Sequence, residues 1–179
     1  MGSFVSPSAE LARYATDRAA PDDPVVVVAG CGSAGTVADL LERGVDAYGF
    51  DLEAEPLAEA DVSSARLHRC DLRDEDLLER LRAAFDIDRI HVCYTERVLS
   101  ILTPSEAATV TARLRAADAV DHCVHRIAEI PPVGHQRGEF EATIRAPDEW
   151  RAACDPDGED LWLSTTDGFP TTSGSENER

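Results

Sequence analysis

Residues 24–51 read PVVVVAGCGSAGTVADLLERGVDAYGFD, and the rest of the chain is organised around them. Four consecutive valines at 25–28 suit a strand covered on both faces, as in a parallel sheet. The run stops at GCGSAG, where Gly30, Gly32 and Gly35 let the backbone turn sharply and approach a ligand closely. Val37, Leu40 and Leu41 then recur at helical spacing, with Gly44 placed to cap the helix C-terminus. Val45, Ala47, Tyr48 and Phe50 read as a second strand ending at Asp51. In such a unit the helix N-terminus and loop amides favour an anionic or polar ligand, and the acid accepts hydrogen bonds from ribose hydroxyls. A nucleoside-containing cofactor is the leading ligand class.

Outward from this unit, helix and strand patterns alternate. Residues 8–20 carry Leu11, Ala12 and Ala15 at helical spacing and read as a packing helix; if the helix also covers a cofactor site, Tyr14 is its residue for that role. Residues 56–60 read as a short helix and 66–70 as a third strand. Asp74 is the expected N-cap of a helix whose apolar face is Leu77, Leu78, Leu81 and Phe85. Residues 87–94 supply a fourth strand, and Thr103-Pro104-Ser105-Glu106 is a strong helix start. Residues 119–127 form a fifth strand, 140–144 a short one, 148–154 a helix and 161–164 a last strand. The pattern is that of an α/β, Rossmann-like doubly wound sheet of six to seven strands, mostly parallel, with ligand at the carboxyl ends. Residues 1–170 read as a single domain and 171–179, small and polar, as a disordered tail.

The formal charge is −18, and all 17 basic residues are arginine. Such acidity repels phosphates, so neither nucleic acid nor an anionic membrane is expected as a partner. No apolar run is long enough to span a bilayer and the N-terminus lacks a secretory signal, which implies a soluble cytoplasmic protein. Acidity without lysine also suits a halophilic, high-salt cytoplasm, where screening suppresses self-repulsion. The five cysteines are odd in number, with no CxxC pair and no His at zinc-ligand spacing; buried thiols are expected, and no metal.

Two nucleotide readings begin at Gly30. Taken literally, Gly30-x-Gly32-x-x-Gly35 with Asp51 about 20 residues on is the dinucleotide fingerprint. From about Val25 to Trp150, however, the chain resembles the class I S-adenosylmethionine-dependent methyltransferases. GCGSAGTVADLLERGVDAYGFDLE is similar to that family's first motif and Cys70-Asp71-Leu72 to its next site. HVCYTERVLSILTP resembles the segment leaving the fourth strand, and EATIRAPDEW the substrate-side strand and helix. The resemblance implies S-adenosylmethionine as cofactor. Gly30 and Gly32 would lie along its methionine part, Asp51 on the ribose, Asp71 on the adenine amino group and Leu72 beside the ring, with Cys31, Leu52 and Cys93 completing the set.

There are departures. Val28 stands where the family has an acid, Ala34 replaces the third glycine, and His91 and Cys93 occupy the fourth strand where an acid is common. The region after Asp148 is short for a complete terminal hairpin. Methyl transfer needs positioning more than side-chain chemistry. The candidates for a base are His125 and Glu96, with His91 and His122 also in or beside strands. The expected function is methyl transfer to a small or soluble acceptor. The alternatives are a non-catalytic binding or partner subunit of the same fold and, third, an NAD-linked oxidoreductase.

Overall fold

A computed structural model describes residues 6–18, 23–127, 146–164 and 167–170. Among them, Val25–Ala29 (β1), Asp46–Asp51 (β2), Leu67–Arg69 (β3), Ile90–Glu96 (β4), Val120–Ile127 (β5) and Leu161–Ser164 (β6) form one sheet in the order β3-β2-β1-β4-β5-β6. Every pair is parallel, with Val27 of β1 opposite Tyr48 of β2 and Cys93 of β4.

The helices divide between the two faces because the strands alternate. Val26 and Val28 point into a cluster with Leu11 and Ala15 of Pro7–Arg18 (α1) and with Val37 and Leu40 of Gly35–Glu42 (α2). Ala54–Glu59 (α3) adds Leu57 at its margin. Val27 and Ala29 point the other way, into a cluster formed by three further helices: Leu77–Phe85 (α4), Pro104–Arg115 (α5) and Pro147–Cys154 (α6). Val26, Val27 and Val28 are fully buried, each contributing roughly 1.5–3 kcal/mol, so the valine run anchors both layers.

Local signals hold at most boundaries. Gly44 has φ 78° and ends α2, with the Val45 amide donating to the Leu40 carbonyl at 3.0 Å. Thr103 accepts from the Glu106 amide while Glu106 accepts from the Thr103 amide, closing the capping box of α5.

Three expectations are corrected. Asp74 does not cap α4: its carboxylate takes Arg80 at 2.5 Å, and the helix begins at Leu77 behind Asp76. The fourth strand starts at Ile90 rather than Ile87, because Asp86 turns left-handed at φ 54° and the Ile87 amide closes back onto Arg82. Tyr14 covers no site at the strand ends. It is buried beside the Phe169 ring, edge-on to His122 near the start of β5, with the Arg18 guanidinium 3.8 Å from its ring centre. The proposed strand at 140–144 and the tail at 171–179 lie outside the described residues. No helix among the described residues is long and apolar enough to cross a membrane.

Candidate functional site

The carboxyl ends of β1, β2 and β4, with the turn after β3, bring most of the sequence candidates together. The chain leaving β1 turns at once: the Gly30 and Cys31 amides both donate to the Phe50 carbonyl, at 2.9 and 3.1 Å. Gly30 and Gly32 are left-handed, at φ 71° and 52°, and so is Ala34 at 61°. Ala34 thus holds a conformation that glycine adopts freely, at a cost of roughly 1–2 kcal/mol. Gly35 has no such requirement; it is exposed, and a Cβ there would meet nothing within 4 Å. The close helix-to-strand approach that the dinucleotide fingerprint assigns to its last glycine is made by Gly49 instead, where a Cβ would lie 2.8 Å from Cys31 Sγ and 2.9 Å from Val37 Cγ2.

That packing fixes Cys31. Its side chain lies on Gly49, and burial pushes its thiol up to about 12, so only its backbone is available to a ligand. Asp51 faces the turn. One carboxylate oxygen accepts from the Gly32 amide at 2.9 Å and the other from the Glu53 amide at 3.0 Å. Each oxygen accepts two hydrogen bonds, so among the described residues one position on each remains open, the pattern a vicinal diol fills. Leu52, half-buried, follows it and offers its carbonyl to Arg69 at 2.9 Å.

Asp71 is more fully occupied. The Arg73 amide and Nε reach Oδ1 at 2.9 and 3.0 Å, while Nε and Nη2 reach Oδ2 at 3.1 and 2.6 Å. These bonds hold its carboxyl below the ordinary range, and Arg73 extends on to Glu106 at 3.3 Å. Leu72 is buried in the core beneath.

The later start of β4 rearranges the remaining candidates. Cys93 falls in mid-strand, 1% exposed, with burial pushing its thiol up to about 12, and its side chain packs in the core. Glu96 becomes the acid at the strand's carboxyl end, where its Oε2 accepts from Thr36 in the first turn of α2 at 2.6 Å. Just beyond it, Val98 sits on the glycine turn, 2.6 Å from where a Gly30 Cβ would stand.

The candidate histidines His125, His91 and His122 do not join this group. His125 is wholly buried, with Nδ1 2.8 Å from Thr95 Oγ1 and Nε2 3.2 Å from Asp160 Oδ2, so no free nitrogen faces the site. His91 accepts from the Val25 amide at the amino end of the sheet, and burial beside Tyr14 lowers the pKa of His122. The Thr36–Glu96 pair, the Val98 contact and Gly49 carry no local signal, because each joins segments that are separate in sequence or depends on a strand register; the Arg73 clamp on Asp71 is local, spanning two residues, but no motif marks it.

The class these features define is a doubly wound parallel α/β sheet with a glycine turn and an acid on the neighbouring strand. No family model matches the sequence, and no curated protein is a significant match. Solved structures that are similar include an S-adenosylmethionine-bound amino pentose methyltransferase from Micromonospora echinaspora, at 22% identity and TM-score 0.48 over 59% of this chain and 42% of that one. A sugar N-methyltransferase from a Streptoalloteichus species matches at 20% identity and TM-score 0.48, over 63% of this chain and 44% of that one. A TehB-like S-adenosylmethionine-dependent methyltransferase from Corynebacterium glutamicum matches at 23% and 0.47, over 63% and 58%. This chain matches less than half the length of the first two structures.

Proposed function

We propose that the chain binds S-adenosylmethionine at the carboxyl ends of β1, β2 and β4 and transfers its methyl group to a small or soluble acceptor. The observation that carries the reading is Asp51, which keeps one open acceptor position on each oxygen beside a left-handed glycine turn. Those positions fit the two ribose hydroxyls. Leu52 and Leu72 border the base. Glu96 supplies the carboxylate missing at Val28: Thr36 occupies one of its oxygens, leaving Oε1 without a partner among the described residues to face the cationic end of the cofactor. When bound, S-adenosylmethionine supplies a methyl group already activated on a sulfonium. The chain's part is to orient it and to exclude water, with Val98 closing over the turn and Leu99 buried behind it. Orientation of this kind is worth roughly 7–11 kcal/mol of a barrier. The absence of any steric demand at Gly35 favours this reading over an NAD-linked one.

Two observations favour a second reading, a non-catalytic binding subunit of the same fold. Arg73 already saturates both oxygens of Asp71, and Val98 lies directly on Gly30.

Calorimetric titration of S-adenosylmethionine and S-adenosylhomocysteine, with NAD as control, tests both at molar salt. Micromolar binding, about −8 kcal/mol, that is lost in Asp51→Ala supports the cofactor assignment. Binding of NAD alone refutes it. Silence with all three ligands leaves the subunit reading.

A further inference from the structure

We propose that Cys123, His125 and Asp160 form a binding site for one divalent ion of the zinc class. The site stands apart from the proposed cofactor site and does not depend on the methyltransferase reading.

Residues two apart on a strand share a face, so β5 presents Cys123 and His125 to the same side. Asp160 directly precedes β6, which pairs alongside β5 with His125 opposite Trp162. One ligand atom from each of the three residues falls within a group in which every separation is below 4.8 Å, and His125 Nε2 and Asp160 Oδ2 are already 3.2 Å apart. Bond lengths of about 2.0–2.3 Å to zinc place neighbouring ligands roughly 3.3–3.7 Å apart in a tetrahedral site. Closure therefore asks for movements of about an ångström. A thiolate, an imidazole and a carboxylate are the mixed donor set that a borderline-soft ion takes.

Three surrounding features fit an ion. First, the nitrogen of His125 that would not bind metal lies 2.8 Å from Thr95 Oγ1, and metal-bound histidines almost always donate their second ring N–H to such a partner. Second, a cavity of about 230 Å³ adjoins the group, lined by Arg115, Asp121, His122, Cys123, Glu159 and Asp160. It gives an entry path from the amino-terminal end of β5 and room for water as a fourth ligand. Third, charge balances: thiolate and carboxylate neutralise a divalent ion. Arg115, now 2.7 Å from Asp160, keeps Asp155 at 3.4 Å and Glu159 at 3.5 Å when Asp160 turns to the metal.

The test is titration of Co(II) into the metal-free chain, followed optically, with Zn(II) as competitor. One equivalent should bind with a thiolate-to-cobalt charge-transfer band and be displaced by zinc. Cys123→Ser should abolish the band. Thr95→Val, which removes only the partner of His125, should weaken binding about 10–100-fold. Absence of the band, or its persistence in Cys123→Ser, overturns the site. Should Cys123→Ser fail to fold, X-ray absorption on the zinc-loaded unmodified chain decides. One sulfur at about 2.3 Å with nitrogen and oxygen at about 2.0–2.2 Å supports the site, and a shell without sulfur refutes it.

Discussion

Replacing the three glycines of GCGSAG by alanine, one at a time, should give three different energies. At Gly30 the added Cβ meets Val98 Cβ at 2.6 Å and Cγ2 at 2.9 Å, on a backbone at φ 71°. The left-handed backbone costs roughly 1–2 kcal/mol. The contact adds about 1–3 kcal/mol, because the nearest atom is a Cβ that moves only if its backbone moves. The total is about 2–5 kcal/mol. Gly32 has φ 52° and open space around it, so only the backbone cost of about 1–2 kcal/mol applies. Gly35, in open space at the start of α2 and not left-handed, should gain: alanine there stabilises by about 0.4–1 kcal/mol, chiefly by restricting the unfolded chain. Urea unfolding at constant m-value reads all three, and each kcal/mol corresponds to about 2–4 °C in a chain of this size. The reasoning fails if Gly35→Ala costs as much as Gly30→Ala, since the third glycine would then be packed as the dinucleotide fingerprint requires.

Acid should destabilise the fold in two steps. Burial lowers the pKa of His122, so its contribution is present above the unfolded value of about 6.5 and is lost as pH falls through the folded one. Asp71, lowered by its Arg73 hydrogen bonds, and Glu106, lowered by Thr103, behave likewise below about pH 4. His122→Gln should flatten only the upper step and Asp71→Asn only the lower; stability rising from pH 7 to 5 would contradict the upper step, and stability unchanged on acidification below about pH 4 the lower. Thr103→Ala removes the cap of α5 and should cost about 1 kcal/mol, seen as a lower denaturation midpoint; no change would mean that the cap is redundant with Pro104. With a formal charge of −18, the chain should melt at higher temperature as salt rises from about 0.1 M, where the screening length is about 10 Å, to 1 M, where it is about 3 Å. A melting temperature indifferent to salt would remove the high-salt interpretation of its composition.

The part of this architecture legible in the sequence is the part encoded by neighbours. Four valines, a glycine turn and a helix closed by Gly44 are local patterns, and they place Asp51 at a strand end without knowledge of anything distant. The capping box at Thr103 is equally local. What the sequence concealed depends on pairing. A left-handed Asp86 delays the start of β4 by three positions and the strand runs two residues further than expected, so that Cys93 falls in mid-strand and Glu96 at the carboxyl end. His125 is an unremarkable strand histidine until Asp160 is set against it by a β5–β6 register that spans more than thirty residues. Gly49 has no motif at all, and its necessity comes from Cys31 and Val37 lying on it.

The position of β1 between β2 and β4 has a consequence for how the chain is made. β2 follows β1 closely and can pair with it early, but the Val25 amide meets His91 66 positions later. During synthesis, the other edge of the valine strand therefore stays open until β4 has emerged. Contacts this remote form slowly, and an unpaired apolar edge is a template for the wrong partner. The strand that anchors both layers of the finished protein is, for that interval, its most aggregation-prone element.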